Sequence, residues 1–196
     1  VERSRGLGDV YKRQVVVVPS AMGSSTDELI DLASNLSENP APREMDMLLS
    51  AGERITMSLL SIHLNSLGYD SISLTGSQAG ILTTSRHGKA EIEEITGERV
   101  KEGIEEGKIV IVAGFQGFNR ESREITTLGR GGSDATAVAL AASLNAERCE
   151  IFTEVDGVFS ADPRYIENAK LIDEISYEEM LEMSSTGAGV LMARSV

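Results

Sequence analysis

Hydrophobic and polar positions follow two alternating rhythms along this chain. Val15-Val16-Val17-Val18 is an unbroken β-branched run, the pattern of a strand buried on both faces of a parallel sheet. Ser71 to Leu74, Lys108 to Gly114 and Arg148 to Thr153 read as further strands. Ile81-Leu82-Thr83 and Ala90-Glu91-Ile92 read as short strands around a turn at Ser85 to Lys89. Between the long strands the apolar spacing becomes helical. Asp27 to about Asn35 follows a cap at Ser25 or Thr26. Arg43 to about Leu67 places Met45, Leu48, Leu49, Ile55, Leu59, Leu60 and Leu64 at helical spacing. Gly52 interrupts that helix at a cost of about 1 kcal/mol relative to alanine, which marks either a break or a close approach. Gly97 to Gly107 forms a charged helix with a solvated outer face, and Ser176 to Met183 opens with Ser176 and Glu179 in capping-box spacing. Strands alternating with helices predict an α/β fold, with a mostly parallel central sheet and helices on both faces.

The loops sharpen this picture. Pro19 to Ser25, Thr75 to Gly80 and Phe115 to Phe118 are rich in small residues and leave the carboxyl ends of strands, where open α/β sheets place their sites. Thr127-Leu128-Gly129-Arg130-Gly131-Gly132-Ser133-Asp134 runs into an alanine-rich helix over Ala135 to Ala142, with Ser133 or Asp134 as its cap. Glycines here let a ligand approach the backbone, and a helix N-terminus suits an anion. Arg130 adds a cation that can fork onto that anion. Asp134 would repel a phosphate unless Mg²⁺ or a lysine ammonium lay between them. The plainer alternative is a tight glycine turn into an acidic helix cap, and these residues alone leave both readings open.

Composition changes the picture in a few places. The chain has 196 residues, 41% hydrophobic and 25% charged, enough for one domain with a sizeable core. A net charge of −13 argues against a nucleic-acid or anionic-membrane surface, though a local Arg pocket could still take a small anion. With Cys149 as the one cysteine no internal disulfide can form, which fits a cytoplasmic protein. On its expected strand, Cys149 reads as a buried, inert thiol. His63 and His87 show no metal-ligand spacing, so no metal site is expected. No apolar run reaches the roughly 20 residues of a membrane span, and no signal peptide is visible. Val1 to Arg13 have no strand or helix periodicity and are expected to be a non-native leader, leaving residues 14–196 as the domain.

Several stretches, taken in order, carry a family likeness. Val17 to Gly23, Ser50-Ala51-Gly52-Glu53, Ser73-Leu74-Thr75-Gly76, Ala113-Gly114-Phe115-Gln116-Gly117, Thr127 to Asp134 and Val155 to Arg164 together resemble aspartokinases, within the amino-acid kinase fold. The resemblance implies transfer of the γ-phosphoryl of ATP, with Mg²⁺, to the side-chain carboxylate of L-aspartate. The product would be 4-phospho-L-aspartate, on the way to lysine, threonine and methionine. It implies that Glu53 receives the aspartate ammonium and Arg130 its carboxylate, with Phe115 and Ser133 shaping the pocket. Asp134 would organise the catalytic cations. Thr153, Glu154, Phe159 and Arg164 would hold the nucleotide, and Ser20 and Gly23 would lie near the transferred phosphate. Phe115 and Phe159 could equally be core residues, and Arg164 could instead cap a turn after Asp162-Pro163. The full-length parent would be a cytoplasmic homo-oligomer.

The chain departs from the family pattern at several points. No Lys-Phe-Gly-Gly-Thr-Ser strand precedes Val15, Glu154 stands where Asp is usual, Phe159 where Tyr is usual and Gly189 where many members carry lysine. No ACT domains follow. The expectation is an internal piece of a catalytic domain lacking its first strand and weakly active or inactive by itself. The rivals are a glutamate, acetylglutamate or uridylate kinase, or a non-catalytic nucleotide- or amino-acid-binding module.

Overall fold

A computed structural model describes residues 14–189 and 191–196, so Val1 to Arg13, and the leader expected there, lie outside the described residues. The chain forms two compact units that meet in sequence between Glu147 and Arg148. In the first unit the elements run β1 (Val16–Val17), α1 (Ser25–Ser34), α2 (Pro42–Ser66), β2 (Ser71–Leu74), β3 (Ile81–Thr83) and β4 (Ile92–Ile95). They continue with α3 (Glu98–Glu105), β5 (Ile109–Val112), β6 (Gln116–Phe118), β7 (Ile125–Thr127) and α4 (Gly132–Ser143). The second unit holds α5 (Tyr177–Ser185) and a 3₁₀ turn, Ala193–Ser195.

Strand β5 is the axis of the first unit. It lies between β1 and β2 in a parallel sheet, in register Val16 with Val110 and Ile72 with Val110. Successive side chains of a strand point to opposite faces. Val110 and Val112 accordingly join Leu74, Val100 of α3 and Leu140 of α4 in one cluster. Ile111 and Ala113 join Met57, Leu60 and Leu64 of α2 in another. Helices therefore cover both faces of a parallel sheet, as the alternation predicts. The β-branched run at Val15 to Val18 is half-buried rather than fully buried, because β1 lies at the sheet edge among the described residues and pairs with β5 alone.

A second sheet has the order β4-β3-β6-β7, with antiparallel β3–β4 and β6–β7 pairs around a parallel β3–β6 pair. Strand β6 replaces part of the expected loop at Phe115 to Phe118. Gly117 makes this pairing fit, since a Cβ there would fall 2.4 Å from Thr83 Cγ2.

Helix α2 runs unbroken through Gly52, which resolves the glycine in favour of close approach: a Cβ there would stand 2.9 Å from the Cβ of Ala21. Its buried stripe is largely polar, comprising Asp46, Ser50, Gly52, Glu53, Met57 and Ser61. Of the apolar residues at helical spacing, Ile55 and Leu59 are exposed. The α3 helix buries Val100 and Gly103. Two caps differ from expectation. Ser24 precedes α1 and donates to Glu28 (2.6 Å) instead of capping the backbone. Gly131, in the left-handed region at φ 68°, begins α4 in place of Ser133 or Asp134.

In the second unit the expected strand at Arg148 to Thr153 is absent, because no strand pairs with it among the described residues. Cys149 is accordingly exposed, not buried. The capping box at Ser176 and Glu179 is formed as its spacing predicts.

Candidate active site

The site begins with the close approach of α2 to the loop after β1. Because Gly52 has no side chain, the neighbouring Glu53 reaches the loop backbone, and its Oε1 accepts a hydrogen bond from Ala21 N at 3.3 Å. Glu53 is only 4% exposed, and its other oxygen, Oε2, is buried without a hydrogen-bond partner among the described residues. Burial pushes its pKa up, while the backbone N–H groups of Glu53 and Ala21 oppose the shift in part. A desolvated carboxylate oxygen is costly unless something cationic meets it. The same loop carries Ser20 and Gly23, the latter at φ 53°, and is tied to the end of β5 by Gly114 N donating to Pro19 O at 3.4 Å.

Gly114 also receives α4. A Cβ on Gly114 would lie 2.7 Å from Ser133 Oγ and 3.0 Å from its Cα, so Ser133 packs directly on that backbone. Phe115 follows in the left-handed region, at φ 66°, a conformation that costs a bulky residue on the order of 1–3 kcal/mol. Hydrogen bonds on both sides hold it there. Its N–H donates to Thr136 Oγ1 at 3.3 Å, and its carbonyl accepts from Leu128 N at 2.8 Å. Gly132 presses on the ring, because a Cβ there would meet Phe115 Cδ2 at 2.9 Å. The loop from β7 thus wraps Phe115 before α4 begins, and the positive φ of Gly129 and Gly131 allows that path. Arg130 is exposed on this loop. Asp134, in the first turn of α4, is partly buried, and burial raises its pKa.

Direct contacts therefore join the loop of Ser20 and Gly23, Glu53, and the Gly114-Phe115 corner with Ser133. Arg130 and Asp134 flank Gly131 and Gly132 at the same loop–helix junction. This arrangement presents an acceptor suited to an ammonium, and a helix N-terminus beside an arginine suited to an anion.

The remaining expected residues belong to the second unit. Thr153 and Glu154 are exposed on irregular backbone. Phe159 is half-buried and bridges to Leu171. Arg164 folds back on Asp162, with Nη2 to Oδ2 at 2.7 Å and Nε to Oδ1 at 3.1 Å. The hydrogen bonds of Arg164 lower the pKa of Asp162. Arg164 thus makes the turn contact that was its plainer reading.

Sequence reasoning missed Gln116. It is 1% exposed; its Nε2 donates to Ser50 O at 2.9 Å and its Oε1 accepts from Arg54 Nε at 3.2 Å. A glutamine read as part of a loop gives no signal of such burial. It missed Asp46 as well, although the seven-residue spacing to Glu53 places both on one helical face. Among the described residues no group of three or more His, Cys, Asp or Glu could hold a metal ion. No helix among these residues is long and apolar enough to cross a membrane.

The amino acid kinase family profile matches residues 3–196. The aspartokinase of Corynebacterium glutamicum is 59% identical over 182 residues, covering 93% of this chain and 43% of that protein. The solved aspartate kinase from Synechocystis superposes with a TM-score of 0.78 at 50% identity, over 93% of this chain and 29% of that one. E. coli aspartokinase III, solved in complex with aspartate and ADP, gives a TM-score of 0.75 at 33% identity, over 86% of this chain and 39% of that one. The chain thus spans less than half the length of each of these relatives.

Proposed function

Because this chain belongs to the amino acid kinase family, we propose that it carries the amino-acid site of an aspartate kinase, which transfers the γ-phosphoryl of ATP to the side-chain carboxylate of L-aspartate. The observation that carries this reading is the buried, unpartnered Oε2 of Glu53. An α-ammonium would give that oxygen the cation it lacks, and binding would favour the ionised carboxylate. Arg130 would pair with the α-carboxylate, Ser133 and Phe115 would shape the pocket, and Ser20 and Gly23 would lie by the transferred phosphate. Thr153, Glu154, Phe159 and Arg164 are assigned to the nucleotide by resemblance, and Arg164 would have to exchange part of its pairing with Asp162 for phosphate.

An aspartate carboxylate is already ionised at neutral pH, so the nucleophile needs no general base. Catalysis then rests on positioning and on neutralising phosphate charge. Magnesium fits the residues as part of Mg·ATP rather than as a resident ion. Asp134 is a partly buried carboxylate whose raised pKa comes from burial alone, and Mg²⁺ typically uses one or two carboxylates together with phosphates. When bound it would supply charge neutralisation of the transferring phosphoryl group. The product, 4-phospho-L-aspartate, would enter lysine, threonine and methionine synthesis.

The test is Mg·ATP- and L-aspartate-dependent acyl phosphate formation, trapped with hydroxylamine. The Lys-Phe-Gly-Gly-Thr-Ser stretch of the family does not occur in these 196 residues. The assay is therefore run on this chain and on a form carrying that stretch in place of Val1 to Arg13. Hydroxamate from L-aspartate, reduced about 10²-fold by Glu53→Gln, is the expected result. Preference for glutamate or N-acetylglutamate would move the chain to another activity of the family. Nucleotide binding without acyl phosphate in either form would make it a non-catalytic module.

A further inference from the structure

The mechanism above leaves unused Asp46, a buried carboxylate with hydrogen-bond partners on both oxygens. Asp46 is 0% exposed. Its Oδ1 accepts from the hydroxyl of Thr127 at 2.5 Å and from Gly88 N at 3.0 Å. Its Oδ2 faces His87 Nδ1 at 2.7 Å and Gly88 N at 3.2 Å. An ionised carboxylate can only accept, so an ionised Asp46 pairs with the His87 tautomer that carries its proton on Nδ1. One side chain on α2 thus ties down the turn before β4 and the last residue of β7.

Both ends of this tie lead to the candidate active site. Asp46 precedes Glu53 by two helical turns on the same face, and α2 is continuous between them. Thr127 is fixed from its other side as well, its carbonyl accepting from Ala90 N at 3.0 Å. After Thr127 come Leu128, which donates to Phe115 O, then Gly129 and Arg130. A second tie runs beside the first: Gln116, paired with Thr127 across β6 and β7, holds Ser50 O and Arg54 of α2.

Apolar packing would let a helix slide or rotate by fractions of an ångström against a sheet, whereas directional hydrogen bonds to a buried carboxylate fix its register. We propose that Asp46 is a positioning residue that sets the register of α2 against β7, and so fixes Glu53 relative to the Arg130 loop. The ligand part of this inference rests on the aspartate-kinase reading; the coupling of helix to loop does not.

The experiment uses the whole chain and an isosteric pair of substitutions. Thr127→Val removes the hydroxyl and leaves His87 and Gly88 on Asp46, while Thr127→Ser keeps the hydroxyl; Asp46→Ala is the fuller lesion. Amide hydrogen exchange is followed at Leu128, which reports the loop, and at Ala21, which reports Glu53. The dissociation constant for L-aspartate is measured by calorimetry, with Glu53→Gln as the control. Thr127→Val should speed exchange at Leu128 and Ala21 together and weaken L-aspartate binding about tenfold, and Thr127→Ser should restore both. Faster exchange confined to Gly88 and Thr127, or loss of melting temperature with an unchanged dissociation constant, would reduce Asp46 to a structural residue and overturn the proposal. A wild-type chain that does not bind L-aspartate would overturn the substrate assignment, and the exchange measurements then decide the helix–loop coupling without any ligand.

Discussion

Glu53→Gln should make this protein more stable while removing the proposed amino-acid site. In the wild type Oε1 is served by Ala21 N and Oε2 is buried with no partner among the described residues. A buried, unsatisfied polar group costs about 1–3 kcal/mol, more when it is charged. Glutamine keeps an acceptor for Ala21 N–H and places a neutral amide where the desolvated charge stood. The net gain near pH 7 is therefore about 1–2 kcal/mol, or roughly 3–6 °C in melting temperature for a domain of this size. The sign with pH follows from the direction of the shift, since burial raises the folded-state pKa of Glu53 above its unfolded value. Glu53 contributes its stability at pH below the unfolded carboxylate pKa and loses it as pH rises through the folded one. The advantage of Glu53→Gln should thus vanish in acid and widen on going to neutral pH. L-aspartate should raise the melting temperature of the wild type and leave that of the variant unmoved. Thermal unfolding by circular dichroism from pH 4 to pH 8, with and without the amino acid, measures both effects. A variant less stable at neutral pH, or a stability gap that does not change with pH, would refute the view of Oε2 as an unpaired buried charge.

Gly114→Ala should cost about 1–3 kcal/mol through overpacking, because the new methyl would sit 2.7 Å from Ser133 Oγ and close to the backbone of α4. Urea unfolding should show a lower midpoint at unchanged slope, and an unchanged midpoint would mean that α4 yields freely. Ser176→Ala should remove about 1 kcal/mol of cap from α5, read by faster exchange of the Glu179 amide. Hydrogen bonds from the Ser176 backbone N–H, then its hydroxyl, hold Glu179 below the usual carboxylate range. That stabilisation is present above the unfolded pKa and lost as pH falls through the folded one. The variant should show a Glu179 titration closer to normal by NMR, and an unshifted titration would sink the capping account.

Elements that obey a single rule were legible in the sequence. The apolar run of β5 could only be a strand covered on both faces, and the Ser176–Glu179 spacing specified its own helix start. What failed was whatever depends on a partner far along the chain. Arg148 to Thr153 has a strand's composition, but composition does not supply the neighbouring strand that a ladder requires. The polar stripe of α2 was hidden for the same reason. Asp46, Ser50 and Glu53 are buried because Thr127, Gly88, Gln116 and Ala21 meet them, and each of those partners lies at least 25 residues away in sequence. Of the apolar residues at helical spacing, Leu60 and Leu64 pack on the sheet, while Ile55 and Leu59 are exposed and the polar stripe takes the fully buried positions.

The remaining failures cluster where the proposed chemistry lies, and they share a physical cause. A serine or aspartate near a helix start ordinarily caps it, yet Gly131 takes that position and no side chain caps α4. Ser133 and Asp134 are thereby left as side chains of the first turn, beside the helix N-terminus instead of hydrogen-bonded into it. A phenylalanine ordinarily avoids positive φ, yet Phe115 is held there by Thr136 and Leu128. A buried carboxylate oxygen ordinarily finds a hydrogen-bond partner, yet Oε2 of Glu53 has none among the described residues. Each exception costs folding free energy, and the parallel sheet with its two apolar clusters supplies the excess that tolerates them. A fold selected for stability alone would have corrected all of these positions with single substitutions. They lie around Gly114, the first turn of α4 and the Ala21 loop, which is where the proposed amino-acid site would need them.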